Sequence, residues 1–285
     1  MTPDRFTRFA AIDWSGARGG RHKGIAVACC SAGTASPVLV APPTGTAWSR
    51  TEVLDWLLAQ DSEPVLVGFD FSFAAPFVAR GAHLPGETDT ADARSLWAYV
   101  DARSAGCDLG AADFVEARRG THFYLGANDG AKRDFLHWRV CEQHGDGTTK
   151  PSTVYDAIGA AQVSKASFAG MRLLHRLDGR IPVWPFDPVP EAGAMVVEIY
   201  TAIAARATGL RAGRSKVRDG ASLDAALRML GSAPHAPLAA YTDHATDALM
   251  TAAWMRHVVG DPALWQPAAM TPAVAATEGW TFGVR

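Results

Sequence analysis

The chain of 285 residues, 48% hydrophobic and 20% charged, can bury a sizeable core in one large domain or two modest ones, and its composition excludes a disordered chain. Its 27 Lys and Arg against 29 Asp and Glu leave a formal net charge of -2, which excludes a strongly basic binder that draws nucleic acid by its global field. Cys29, Cys30, Cys107 and Cys141 form no C-x-x-C pair, so neither a zinc knuckle nor a thioredoxin-like site is expected. Asp4, Arg5 and Arg8 precede any apolar stretch, which is no secretory signal, and no apolar run approaches the roughly 20 residues that cross a bilayer. A cytoplasmic location without a membrane partner is the expectation.

Phe9–Ile12 is a short apolar strand ending at Asp13, and Trp14–Gly20 is a turn. Gly24–Cys30 reads as a second strand and Val38–Ala41 as a third, so the chain opens with antiparallel hairpins. The period then changes: Val53, Leu54, Trp56, Leu57 and Leu58 fall at helical spacing after a Ser49 cap, and Pro64 ends the segment. Val65–Phe69 is a buried strand that ends at Asp70, and strand, helix, strand predicts a parallel crossover. Residues 81–150 differ in texture, with charge, Gly and His interleaved with Trp97, Phe114, Phe123, Tyr124 and Trp138. They read as an insertion of helices and loop over one end of the sheet, between core segments 1–80 and 151–258. Val154–Leu177 is expected to be mostly helical, broken near Gly159 or Gly170. Ile181–Pro188 is extended, Met195–Tyr200 a strand and Thr242–His257 a helix packed through Leu249, Ala252, Ala253 and Met255. Residues 259–285 read as a loose Ala/Pro-rich tail or an edge cover.

Four carboxylates fall at informative places. Asp13 and Asp70 each close a strand, Glu198 lies inside one, and Asp247 sits one turn into the last helix. A charge between Val197 and Ile199 is costly unless it faces a site or meets an arginine such as Arg206 or Arg211. If the strands of Asp13 and Asp70 are parallel neighbours, the two emerge side by side and raise each other's pKa, a penalty that a divalent cation removes. Oxygen donors favour Mg²⁺ or Mn²⁺ over zinc. Asp243, four residues before Asp247, shares its helical face and is either a fifth ligand or the helix cap.

This order of elements resembles the ribonuclease-H-like fold, an α/β mixed sheet of three antiparallel strands plus parallel strands flanked by helices. Asp13, Asp70, Glu198 and Asp247 match its acid positions, and Thr242–Leu249 looks like the helix start of RuvC-type resolvases. The segments Ile12-Asp13, Gly68-Phe69-Asp70-Phe71, Pro151–Val154, Gly170-Met171, Val183–Phe186 and Val197–Tyr200 are similar to those of a bacterial family of predicted nucleases with that fold. Thr201 departs from it, since that family has proline there, and the Asp243–Asp247 spacing departs from RuvC. The resemblance implies a metal-dependent nuclease, with Mg²⁺ or Mn²⁺ held by the acids and nucleic acid as partner. Asp13–Ala17 also resembles the first phosphate loop of the actin-like sugar-kinase superfamily, which would imply ATP-dependent phosphotransfer; a non-catalytic binding protein on the same fold is the third reading. Ser15, Lys165, Arg214 and Lys216 are the candidate substrate contacts, the last two from a basic stretch that is otherwise a solvated face. His244 beside the acids is a candidate general base.

Overall fold

A computed structural model describes residues 5–87, 90–144, 151–158, 163–210 and 216–285. Five strands form one open mixed sheet in the order β3-β2-β1-β4-β5: β1 (Arg8–Asp13), β2 (Ala26–Ser31), β3 (Val38–Val40), β4 (Val65–Phe69) and β5 (Met195–Glu198). The three strands β1 to β3 pair antiparallel, and β4 and β5 add parallel to β1, as the hairpin and crossover signals predict. The crossover is α1 (Arg50–Leu58), whose Ser49 and Glu52 form a reciprocal capping box.

Side chains alternate across the sheet, and each face buries a separate cluster. Ala10, Ile12, Val67, Phe69 and Val196 face one side. They pack with α1, with α5 (Val163–Arg176), and with α2 (Ala93–Arg103) and α3 (Ala112–Ala117) of the insertion. Phe9, Ala11, Leu66, Met195 and Val197 face the other. They meet α6 (Thr201–Ala207), α7 (Gly220–Met229) and α8 (Asp243–Val258). Residues 245–255 of α8 are all buried, because the helix lies on β1 and β2 with α6 and α7 against its flanks. The approach is close enough that a Cβ on Gly68 of β4 would collide with Ile199 and Met255.

Two expectations are corrected here. The helix expected over Val154–Leu177 is described from Val163 onward, and residues 153–157 are not part of it: they run alongside the insertion, where Tyr124 exchanges backbone hydrogen bonds with Tyr155 and Ala157. Gly170 lies inside α5 without breaking it; a side chain there would run into the Phe71 ring. Gly159 falls outside the described residues. The tail is not loose: Trp280 and Phe282 are fully buried, and the Phe282 N–H donates to the Glu198 carbonyl, covering the β5 edge. Within the insertion Trp97, Phe114 and Phe123 are buried, and the Trp97 indole donates to the Phe73 carbonyl at 2.6 Å. The short helices α4 (Val140–Gln143), α9 (Pro262–Trp265) and α10 (Pro272–Thr277) complete the fold. Among the described residues no helix is long and apolar enough to cross a membrane.

Candidate functional site

Strand register decides which acids meet. Ile12 pairs with Phe69, so Asp13 and Asp70 occupy the next rung of neighbouring parallel strands, and the Asp70 N–H donates to the Ile12 carbonyl at 3.0 Å. Alternation turns both toward the α8 face, that of Ala11 and Leu66. There α8 brings His244 and Asp247. His244 Nδ1 lies 2.9 Å from Asp13 Oδ1, and Asp247 Oδ2 accepts from Lys216 Nζ at 2.9 Å.

Glu198 does not join them. It pairs with Phe69 across the β4–β5 ladder and therefore faces the opposite side of the sheet. Its carboxylate is fully engaged there. The Arg139 guanidinium donates two bonds to it, at 2.7 and 2.5 Å, and the Phe73 N–H and the Thr281 hydroxyl donate the others. The expected four-acid convergence is thus a three-acid group on one face and a buried Arg139–Glu198 pair on the other. The expected arginine partner, Arg206 or Arg211, is replaced by Arg139 of the insertion. Asp243 is not the helix cap either. The Thr242 hydroxyl accepts from the Ala245 N–H in that role, and Asp243 pairs with Arg218 at 3.1 Å and with Lys216 at 3.7 Å.

The electrostatics of the three acids are unequal. Burial and the charges of Asp13 and Asp247 push the Asp70 carboxyl up to about 8, and the hydroxyl of Thr201, 3.3 Å away, offsets only part of this. Thr201 is thus a hydrogen-bond donor to Asp70. Burial also raises Asp247, against the pull of Lys216. The hydrogen bond that His244 donates to the Asp13 carboxylate raises the imidazole, which is half exposed and carries a proton more readily than a free imidazole. Among the described residues no three His, Cys, Asp or Glu side chains stand at metal-ligating distance as packed.

A cleft of about 1140 Å³ opens over the carboxyl end of the sheet and is lined by Asp70, Ser15, His244 and Tyr200 from the three-acid side and by Arg139 and Glu198 from the other. Its floor at residues 14–17 is docked on α5, where the Trp14 indole donates to the Ala166 carbonyl at 3.1 Å. Gly16 is needed because any Cβ there would strike the backbone of Lys165 and Ala166. The Ser15 hydroxyl accepts from the Ala17 N–H and lies beside Gly24 and His244. Lys165 is held by Glu116 at 3.0 Å, so its charge is already matched. Arg214 and Arg211 lie outside the described residues. No protein-family model, curated protein or solved structure matches this chain.

Arg139 is the residue that sequence reasoning missed. Its signal was indirect: a glutamate in the middle of a buried strand requires a cation. The sequence offers many arginines and gives no means of choosing among them.

Proposed function

We propose that the chain is a divalent-metal-dependent phosphodiester hydrolase on a ribonuclease-H-like core, with Asp13, Asp70 and Asp247 as its acidic group. One observation carries this reading. Two carboxylates share a rung at the ends of adjacent parallel strands, a third approaches from α8, and Asp70 keeps a raised pKa despite its hydrogen bonds from Thr201, in the lining of a large cleft. Unbalanced oxygen donors of this kind suit a hard cation rather than zinc.

The donor chemistry fits Mg²⁺ or Mn²⁺, with Asp13, Asp70 and Asp247 as the residues that would hold it. Such an ion supplies Lewis acidity and acidifies a bound water. The remaining roles belong to the chain. Lys216 compensates the charge of Asp247 in the unloaded site and would release that carboxylate to a bound cation. His244, oriented by Asp13 and exposed to the cleft, holds a proton that it donates to the leaving oxygen of the scissile phosphate. The Trp14–Ala17 loop shapes the floor against which the substrate lies.

The test is cleavage of single-stranded, duplex and branched DNA and RNA by the purified chain with Mn²⁺, with ATP turnover assayed in parallel. Asp13→Asn is expected to abolish cleavage and to leave the thermal midpoint in metal-free buffer unchanged or higher, since one repelling charge is gone. ATP turnover without cleavage of any nucleic acid would transfer the assignment to phosphotransfer. Absence of both, with no Mn²⁺ binding by calorimetry, would leave a non-catalytic binding protein.

A further inference from the structure

The insertion contains a second concavity that shares no lining residue with the cleft. It measures about 280 Å³, and its lining includes Arg80, Thr121, His122 and His137 together with the carboxylates Asp129 and Asp134. Its charge balance is unusual for this molecule. Neighbouring arginines are matched to acids: Arg118 to Glu87 at 2.8 Å and Arg119 to Asp129 at 2.5 Å. Among the described residues Arg80 has no carboxylate partner. Its guanidinium rests 4.8 Å from the Tyr155 ring centroid, and its one hydrogen bond to a carbonyl, that of His83, is long at 3.4 Å.

The two acids do not cancel this charge. Asp129 is spent on the Arg119 guanidinium and on the Leu125 N–H at 2.7 Å. The Asp134 side chain is largely exposed and lies 3.7 Å from the exposed Arg133. His122 is 95% buried, with Nε2 3.3 Å from Glu87, and its Nδ1 has no hydrogen-bond partner. His137 spends Nε2 on the Asp134 carbonyl at 3.1 Å. Burial, with Arg80 close by, pulls both imidazoles below their ordinary value. A guanidinium without a counter-ion, a Thr121 hydroxyl and two imidazoles, each of which gains a second N–H donor when it takes up a proton, line one small space. A cation is repelled there by Arg80, and an apolar ligand would leave Arg80 without a counter-ion and His122 Nδ1 without a partner.

We propose that Arg80, His122, His137 and Thr121 form an anion site that takes a phosphate group, either free or as the monoester of a small sugar. Guanidinium and imidazole groups match the phosphate oxygens in geometry and charge. The volume sets the size of the ligand, since it falls just below the roughly 300–1,000 Å³ of sites for larger small molecules. His137 lines this pocket and Arg139, two residues on, lines the cleft, so the segment 137–139 forms a wall common to both. The proposal stands independently of the phosphodiester reading.

The probes are inorganic phosphate and ribose 5-phosphate, titrated into the full chain in metal-free, low-salt buffer by calorimetry. The His Cε1 protons are followed by NMR in the same series. Saturable one-site binding is expected, with the titrations of His122 and His137 displaced upward in pH as the anion repays the field of Arg80. Arg80→Gln should weaken binding by about tenfold or more, the loss of one charge-assisted contact. Thr121→Val, an exposed position that leaves folding intact, should weaken it less, and it keeps the test open if Arg80→Gln does not fold. Asp13→Asn should bind as the unaltered chain does. Tighter binding of ribose 5-phosphate identifies an organic phosphate as the ligand, and equal binding identifies the free anion. Absence of saturable binding by either probe overturns the proposal. So does binding that survives both pocket substitutions, or binding lost in Asp13→Asn, which would put the anion in the acidic cleft.

Discussion

Asp70 shows what register does to a single side chain. One residue earlier on β4, Phe69 turns into the opposite cluster; one residue later, Phe71 lies against Gly170 of α5. Asp70 alone is turned to the face where Asp13 and Asp247 already stand, so its proton is held to about 8, while an unfolded chain releases it near ~3.9. The folded state thus binds more protons than the unfolded state between these values, and stability must fall as pH rises through that window. The contribution is fully present below the unfolded pKa and is lost as pH climbs through the folded one. Asp70→Asn removes this titration. Its thermal midpoint in metal-free buffer should match that of the unaltered chain below about pH 4 and exceed it by a margin that widens up to about pH 8. Parallel profiles across that range would mean that Asp70 is not the crowded group. Saturating Mn²⁺ should close the gap from the other side, by stabilising the unaltered chain alone.

At the scale of elements, the site is an assembly of contacts between a loop and two helices. The Trp14–Ala17 loop lies on α5 through the Trp14 indole and through Gly16, while α8 delivers His244 and Asp247 from the opposite layer. Gly16→Ala should therefore lift the loop off α5 without touching an acid. The expected cost is about 1–3 kcal/mol in urea denaturation, the range for overpacking a tight contact, with a fall in cleavage at unchanged Mn²⁺ affinity. Unchanged stability would show that the loop moves freely at this contact. The five strands, α1 with its Ser49 cap and α8 were all legible, because each combines an apolar period with a local stop or cap. The pairing of Asp13 with Asp70 was legible too, once strand, helix, strand implied parallel neighbours. The side of Glu198 was not. A one-residue shift in register reverses the face, and a strand buried on both sides carries no alternation that would reveal it. Thr201 was visible only as a departure from a pattern, and its role appears when its hydroxyl is seen against Asp70.

Over the whole molecule, the two clusters on opposite faces of the sheet are tied by segments far apart in sequence. Arg139 of the insertion, Glu198 of β5 and Thr281 of the tail meet in one buried group. Glu278, also buried, accepts from the N–H groups of Phe77, Val78 and Val140. The tail thus supplies acceptors to the β4–insertion junction and two buried aromatics, Trp280 and Phe282, to the α8 cluster. Emptying the space of one such ring costs about 3–5 kcal/mol, and a domain has only about 5–15 kcal/mol in hand. Deletion of residues 278–285 also leaves Arg139 and Glu198 short of the partners that offset their burial. The truncated chain should therefore lose its cooperative thermal transition altogether, with both clusters melting together rather than the α8 side alone. Removal of Arg285 alone, whose partner Asp261 is an exposed pair at 2.5 Å, should change stability by no more than ~0.5 kcal/mol. Circular dichroism through heating distinguishes the cases. A truncated chain that keeps a sharp transition near the original midpoint would reduce the tail to a cover on the β5 edge and remove it from the core.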